Sequence, residues 1–102
     1  MHAYIWSYRV KPEWREKFQR AYGPNGEWAV FFARSPGYVR TDLLSDEREE
    51  LCFVTIDYFK DEHVRGLLVE AHKDEYAAID KRWQDATVEE TYIGAFRVDS
   101  KE

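Results

Sequence analysis

The chain has 102 residues, 44% of them hydrophobic and 17% aromatic. That suffices for one domain, residues 1–102, burying roughly two thirds of the surface its unfolded form exposes, and it excludes disorder. The net charge of -5 comes from acids and bases mixed along the chain, with no basic stripe to release counterions from a phosphate backbone, so nucleic acid and an anionic membrane are excluded as partners.

Residues 2–10 alternate as a strand, with Tyr4, Trp6, Tyr8 and Val10 on one face and Ala3, Ile5, Ser7 and Arg9 on the other. Pro12 opens a helix where its missing N–H is harmless, and Trp14, Phe18, Ala21 and Tyr22 form its buried stripe. Gly23-Pro24-Asn25-Gly26 interrupts that helix. Without a P-loop Lys or a preceding strand, the turn reads as a kink rather than an anion site. A second helical piece carries Trp28, Phe31 and Phe32 up to Ser35-Pro36-Gly37.

Residues 38–45 read as a second strand, 46–50 as a charged hairpin turn, and 51–59 as a third strand that is apolar on both faces and so expects cover on both. Cys52 within it is the only cysteine. It excludes an intrachain disulfide and, lacking a neighbouring base, reads as a small hydrophobe. Asp61 is placed to cap the next helix, whose stripe reads Val64, Leu68, Ala71, His72, Tyr76, Ile79 and Trp83. Thr87 to Glu90 has capping-box spacing, suggesting a short helical turn ahead of a fourth strand over 91–98.

The order β-α-β-β-α-β predicts an α+β, ferredoxin-like fold with an antiparallel sheet. Two helical layers' worth of sequence covers only one sheet face, leaving Cys52, Val54, Ile56 and Tyr58 to meet a second copy, so a homodimer is expected. No stretch approaches the ~20 apolar residues of a membrane-spanning helix, and no basic, apolar leader opens the chain. The expected compartment is the cytoplasm, with no membrane partner.

Tyr22-Gly-Pro-Asn-Gly-Glu-Trp28, Gly37-Tyr38, Thr55-Ile-Asp57-Tyr-Phe59 and Glu75-Tyr-Ala-Ala-Ile-Asp80, continuing to Thr87, Glu90 and Gly94, resemble the antibiotic biosynthesis monooxygenase-like family. The resemblance runs from Ala3 to Val98 and implies a dimeric α+β barrel, two sheets face to face with helices outside. Members of that family include oxygenases of quinols and aromatic polyketides that use neither flavin nor metal, and haem-degrading enzymes. Many members place a Trp where this chain has Phe59. The Asn, Trp and His of the haem-degrading branch are replaced by Trp6, Phe59 and Ile79, which disfavours haem chemistry.

Asp57 is a carboxylate in an otherwise apolar strand. A buried carboxylate is either paired or raised in pKa, and the raised form suits a general base; the plainer reading is a structural acceptor. His72 lies on an apolar helix stripe, either as a second base or as a rim residue. Trp6, Tyr8, Phe59 and Tyr76 form an aromatic slot for a planar ring or simply core, and Arg40 binds a phenolate or makes a salt bridge. His2, His63 and His72 share no metal-ligand spacing, and no cofactor fingerprint is present, so no flavin, haem or metal is expected. The expected function is a cofactor-independent monooxygenase of small aromatic, phenolic or quinol-type molecules. The alternative is a noncatalytic small-ligand-binding or assembly domain of the same fold. The two separate on whether Asp57 and His72 open onto one cavity of roughly 300 Å³ or more.

Overall fold

The computed structural model describes residues 1–99. The chain runs β1 (His2–Val10), a 3-10 turn (Pro12–Trp14), α1 (Arg15–Tyr22), α2 (Glu27–Phe32), β2 (Tyr38–Ser45), β3 (Cys52–Phe59), α3 (Val64–Ala71), α4 (Lys73–Trp83), a second 3-10 turn (Gln84–Ala86) and β4 (Thr87–Arg97). The strands form one antiparallel sheet in the order β2-β3-β1-β4, the ferredoxin-like arrangement.

The helices cover a single face. Tyr8 and Val10 of β1 and Phe53 and Phe59 of β3 meet Phe18 and Tyr22 of α1, Phe31 and Phe32 of α2, Leu68 of α3 and Ile79 of α4 in one core. Much of it is ring against ring: Phe18 stacks on Tyr22 at 4.1 Å and takes Tyr8 edge-on at 5.1 Å. The α1–α2 kink depends on Gly26, where a Cβ would lie 2.3 Å from the carbonyl oxygens of Arg20 and Ala21. Glu27 then staples α2 to α4, accepting from the Trp83 indole N–H at 2.7 Å and pairing with Arg82.

Three local expectations are corrected. The helix expected after Asp61 is two helices, broken at His72 (φ -130, ψ 38), and Ala71 is exposed rather than on the buried stripe. Asp61 does not cap it: its carboxylate accepts the His63 N–H at 2.8 Å in the preceding turn, and α3 begins at Val64 without a side-chain cap. The fourth strand starts at Thr87, four residues early, because its backbone already pairs with Val10 of β1; only Gln84–Ala86 is helical.

Three register shifts shape the sheet, one of them between Arg9 and Val10 of β1 against β4. The β2–β3 register slips between Tyr38 and Arg40, so Val39 is an extra residue. The β1–β4 register slips at Trp6, next to Gly94, whose φ of 151 is open to glycine alone.

Candidate active site under the sheet

A cavity of about 50 Å³ lies between the sheet and the helices. The strands contribute Trp6, Tyr8, Thr41, Thr55, Asp57 and Glu90; the helices contribute Tyr22, Trp28, Phe32, Arg65, Tyr76 and Asp80. Alternation delivers the sheet half: Trp6 and Tyr8 share the helix-facing side of β1, and Thr55 and Asp57 that of β3, where Trp6 pairs with Thr55 in register.

Asp57 is 7% exposed. Burial pushes its carboxyl up to about 6, against the opposing pull of the Thr41 hydroxyl and the Arg65 charge. Thr41 donates to Asp57 Oδ1 at 2.6 Å. The other carboxylate oxygen takes no hydrogen bond from the described residues and is not fully enclosed. A carboxyl titrating near 6 with one free oxygen on an aromatic cavity is able to accept a proton from a phenol.

The neighbouring phenols are held neutral. Burial drives Tyr8 far above its ordinary value despite its 3.2 Å contact with Thr55, and it raises Tyr22 strongly as well. Glu90, exposed by surface area but lining the cavity near Asp80, is raised by desolvation and by that second carboxylate. Among the described residues Arg65 is the one cation lining the cavity. Its guanidinium lies 5.3 Å from the Tyr4 ring, 5.7 Å from Phe32 and 5.8 Å from Tyr76, and it donates to the Tyr76 hydroxyl at 3.2 Å. Arg65 Nε and the Trp28 indole N–H are buried without a hydrogen-bond partner among the described residues. Both residues line the cavity.

The structure thus brings Asp57, Trp6, Tyr8 and Tyr76 together and leaves three expected residues outside. Phe59 does not line the cavity: it is fully buried core, wedged against Tyr4, Phe32 and Tyr38. His72 sits at the helix break, packed edge-on against Phe31 and 3.4 Å from Arg34, itself paired with Glu75. His72 does not line the cavity that holds Asp57. Arg40 lies on the opposite sheet face, exposed, paired with Asp42 at 3.3 Å and lying over the ring of Tyr58, its partner in register on β3. Residues that sequence reading missed are Thr41, Arg65 and Trp28. An isolated Thr, Arg or Trp carries no spacing signal, although the regular β2–β3 pairing that runs back from Ser45 and Phe53 sets Thr41 opposite Asp57.

Among the described residues no three His, Cys, Asp or Glu side chains gather as metal ligands, and no helix is long and apolar enough to cross a membrane.

No protein-family profile matches the chain, and no curated protein matches it in sequence. Solved structures do match in fold. A protein from Nitrosomonas europaea provisionally named an antibiotic biosynthesis monooxygenase superposes with a TM-score of 0.71 at 24% identity, over 96% of this chain and 98% of that one. SnoaB, a cofactor-independent oxygenase from Streptomyces nogalater, matches with a TM-score of 0.70 at 21% identity, over 98% and 94%. A Deinococcus radiodurans protein, provisionally named like the first, reaches 0.74 at 7% identity, over 100% and 96%. The antibiotic biosynthesis monooxygenase-like resemblance is therefore shared at the level of the fold, while the chemistry must be argued from the site.

Proposed function

We propose that this protein is a cofactor-independent oxygenase of small phenolic or quinol-type aromatics, with Asp57 as the general base. The observation that carries the reading is a buried carboxyl raised to about 6, with one unbonded oxygen, on a cavity lined by aromatic rings. The likeness in fold to SnoaB supports the reaction class. Asp57 takes the phenolic proton, and the electron-rich anion reacts with dioxygen, which is reduced as the ring is oxidised. For an anthrone, a C–O bond forms at the ring carbon opposite the phenolate, and loss of one water from the hydroperoxide leaves the quinone. Tyr8 and Tyr22, held neutral, do not compete for the proton, and Arg65 stabilises the phenolate.

The test is oxygen uptake with dihydroxynaphthalenes and anthrones. Asp57→Asn is expected to lower the rate by ~10²-fold or more, the usual contribution of a positioned base. His72→Ala is expected to leave it unchanged, since His72 lies outside the cavity. Equal uptake in wild type and Asp57→Asn removes the carboxylate from the mechanism.

One observation favours the noncatalytic alternative: the cavity of about 50 Å³ is well below the roughly 300 Å³ of a pocket that encloses a small ligand. Half-buried Trp6 and Tyr76 must move aside to admit a ring. Absence of uptake across the phenol panel supports a binding or assembly domain.

We also propose that the uncovered sheet face pairs with a second copy of the chain. Val54 and Ile56 lie there, with Phe96 47% exposed and Leu44 46% exposed beside them.

A further inference from the structure

We infer that Tyr38 and Thr41 are positioning residues that hold the Asp57 carboxylate through a hydroxyl chain, and that the β2 bulge exists to assemble it. The inference deepens the assignment of Asp57 as the base. Thr41 is 2% exposed, and its only hydroxyl proton goes to Asp57 Oδ1 at 2.6 Å. The Tyr38 hydroxyl, 2.7 Å from Thr41 Oγ1, must therefore be the donor in that contact. The chain runs in one direction, from Tyr38 to Thr41 to Asp57.

In a regular strand, residues three apart point to opposite faces. Here Thr41 pairs with Asp57 in the regular hairpin register and the extra residue Val39 lets Tyr38 pair with Phe59, so both hydroxyls reach the helix-facing side. Without the bulge one of the two would face away. Val39 itself is 41% exposed and is not part of the buried core.

The chemical consequence follows from which oxygen is held. Oδ1 is occupied, so the carboxylate cannot rotate freely, and the unbonded oxygen is the one left to meet a substrate proton. Two donors in series also favour the charged form: Tyr38 polarises the Thr41 hydroxyl, which strengthens its bond to the carboxylate. The other charged or titratable groups around the site are Arg65 on α3, Tyr76 and Asp80 on α4, Tyr22 on α1, Glu90 on β4 and Tyr8 on β1, with Tyr4 beside Asp57 in register. The substitutions below leave all of them in place.

The test reads the Asp57 carboxyl carbon by NMR titration, assigned from its loss in Asp57→Asn, and so needs no substrate. Thr41→Val is expected to move the midpoint up by about one unit, with Thr41→Ser restoring it and Tyr38→Phe moving it up by a smaller amount. In oxygen uptake, the acidic limb of the pH–rate profile is expected to move with the titration, with kcat falling more than KM changes. A midpoint unchanged in Thr41→Val overturns the inference, and one unchanged in Tyr38→Phe overturns the part given to Tyr38. Thr41→Ser and Tyr38→Phe keep the test open if Thr41→Val does not fold. If the midpoints shift while Asp57→Asn keeps full activity, the hydroxyl chain stands and the assignment of Asp57 as base falls.

Discussion

The two faces of the sheet are built from the same strands and have opposite characters. On β3, Phe53, Thr55, Asp57 and Phe59 are all under 8% exposed beneath the helices. Cys52, Val54, Ile56 and Tyr58, interleaved with them, are only half-buried. An antiparallel sheet with one wet face ordinarily turns its apolar residues inward and its polar ones out. Here the buried polar side chains Thr41, Thr55 and Asp57 are all under the helices, while the open face carries Leu44, Val54, Ile56 and Phe96. The covered face keeps ionisable chemistry at a cost in stability, and the open face carries apolar surface that no helix covers.

The largest expected effect comes from inverting the open face. Ile56→Asp puts a charge at the centre of the proposed contact between copies, where an unpaired buried carboxylate costs several kcal/mol. Sedimentation is expected to show wild-type dimers at micromolar concentration and monomers for the variant. A wild-type chain that stays monomeric there ends the dimer proposal.

Next in size is a matched pair of truncations on β3. Phe59→Ala removes a fully buried ring touching Tyr4, Phe32 and Tyr38, so a loss of about 3–5 kcal/mol is expected in denaturant unfolding. Val54→Ala, on the open face, is expected to cost only about 1 kcal/mol in dilute protein. Equal losses mean that the two faces are not energetically distinct.

Much of this asymmetry was legible in the residues, because a strand's period of two is blunt and the markers are large. Trp6 and Tyr8 on one face of β1, and Asp57 between Thr55 and Phe59, could be placed before any coordinates. The site's finer wiring could not. Thr41 meets Asp57 in the regular hairpin register, but Tyr38 joins them only through a bulge at Val39, a residue type that announces none. The helix break at His72 is equally unmarked, and a single continuous stripe moved His72 toward a cavity it does not reach. Thr87 to Glu90 matches a helix-capping pattern, yet pairing with β1 overrides it, as tertiary contacts commonly override local preference. The kink at Gly26, by contrast, was readable, since Pro24 forbids a continuous helix whatever surrounds it.

The smallest expected effect is the most specific to the covered face, and it concerns stability rather than rate. Asp57 titrates near 6 in the folded chain and at 3.8 as an ordinary Asp. Below the lower value both states hold the proton, and the site adds no strain. As pH rises between the two values the unfolded chain has released its proton while the folded one still holds it, so stability falls with rising pH. Above 6 both are ionised, and the folded state carries the whole penalty of a buried charge, about 3 kcal/mol from the size of the shift. Asp57→Asn keeps an oxygen for the Thr41 hydroxyl and removes the charge. It is expected to raise the melting temperature by several degrees at pH 7.5 and to change it little at pH 4. A variant equally or less stable at both pH values would show that Asp57 is fully compensated in the fold, a structural acceptor and not a strained base.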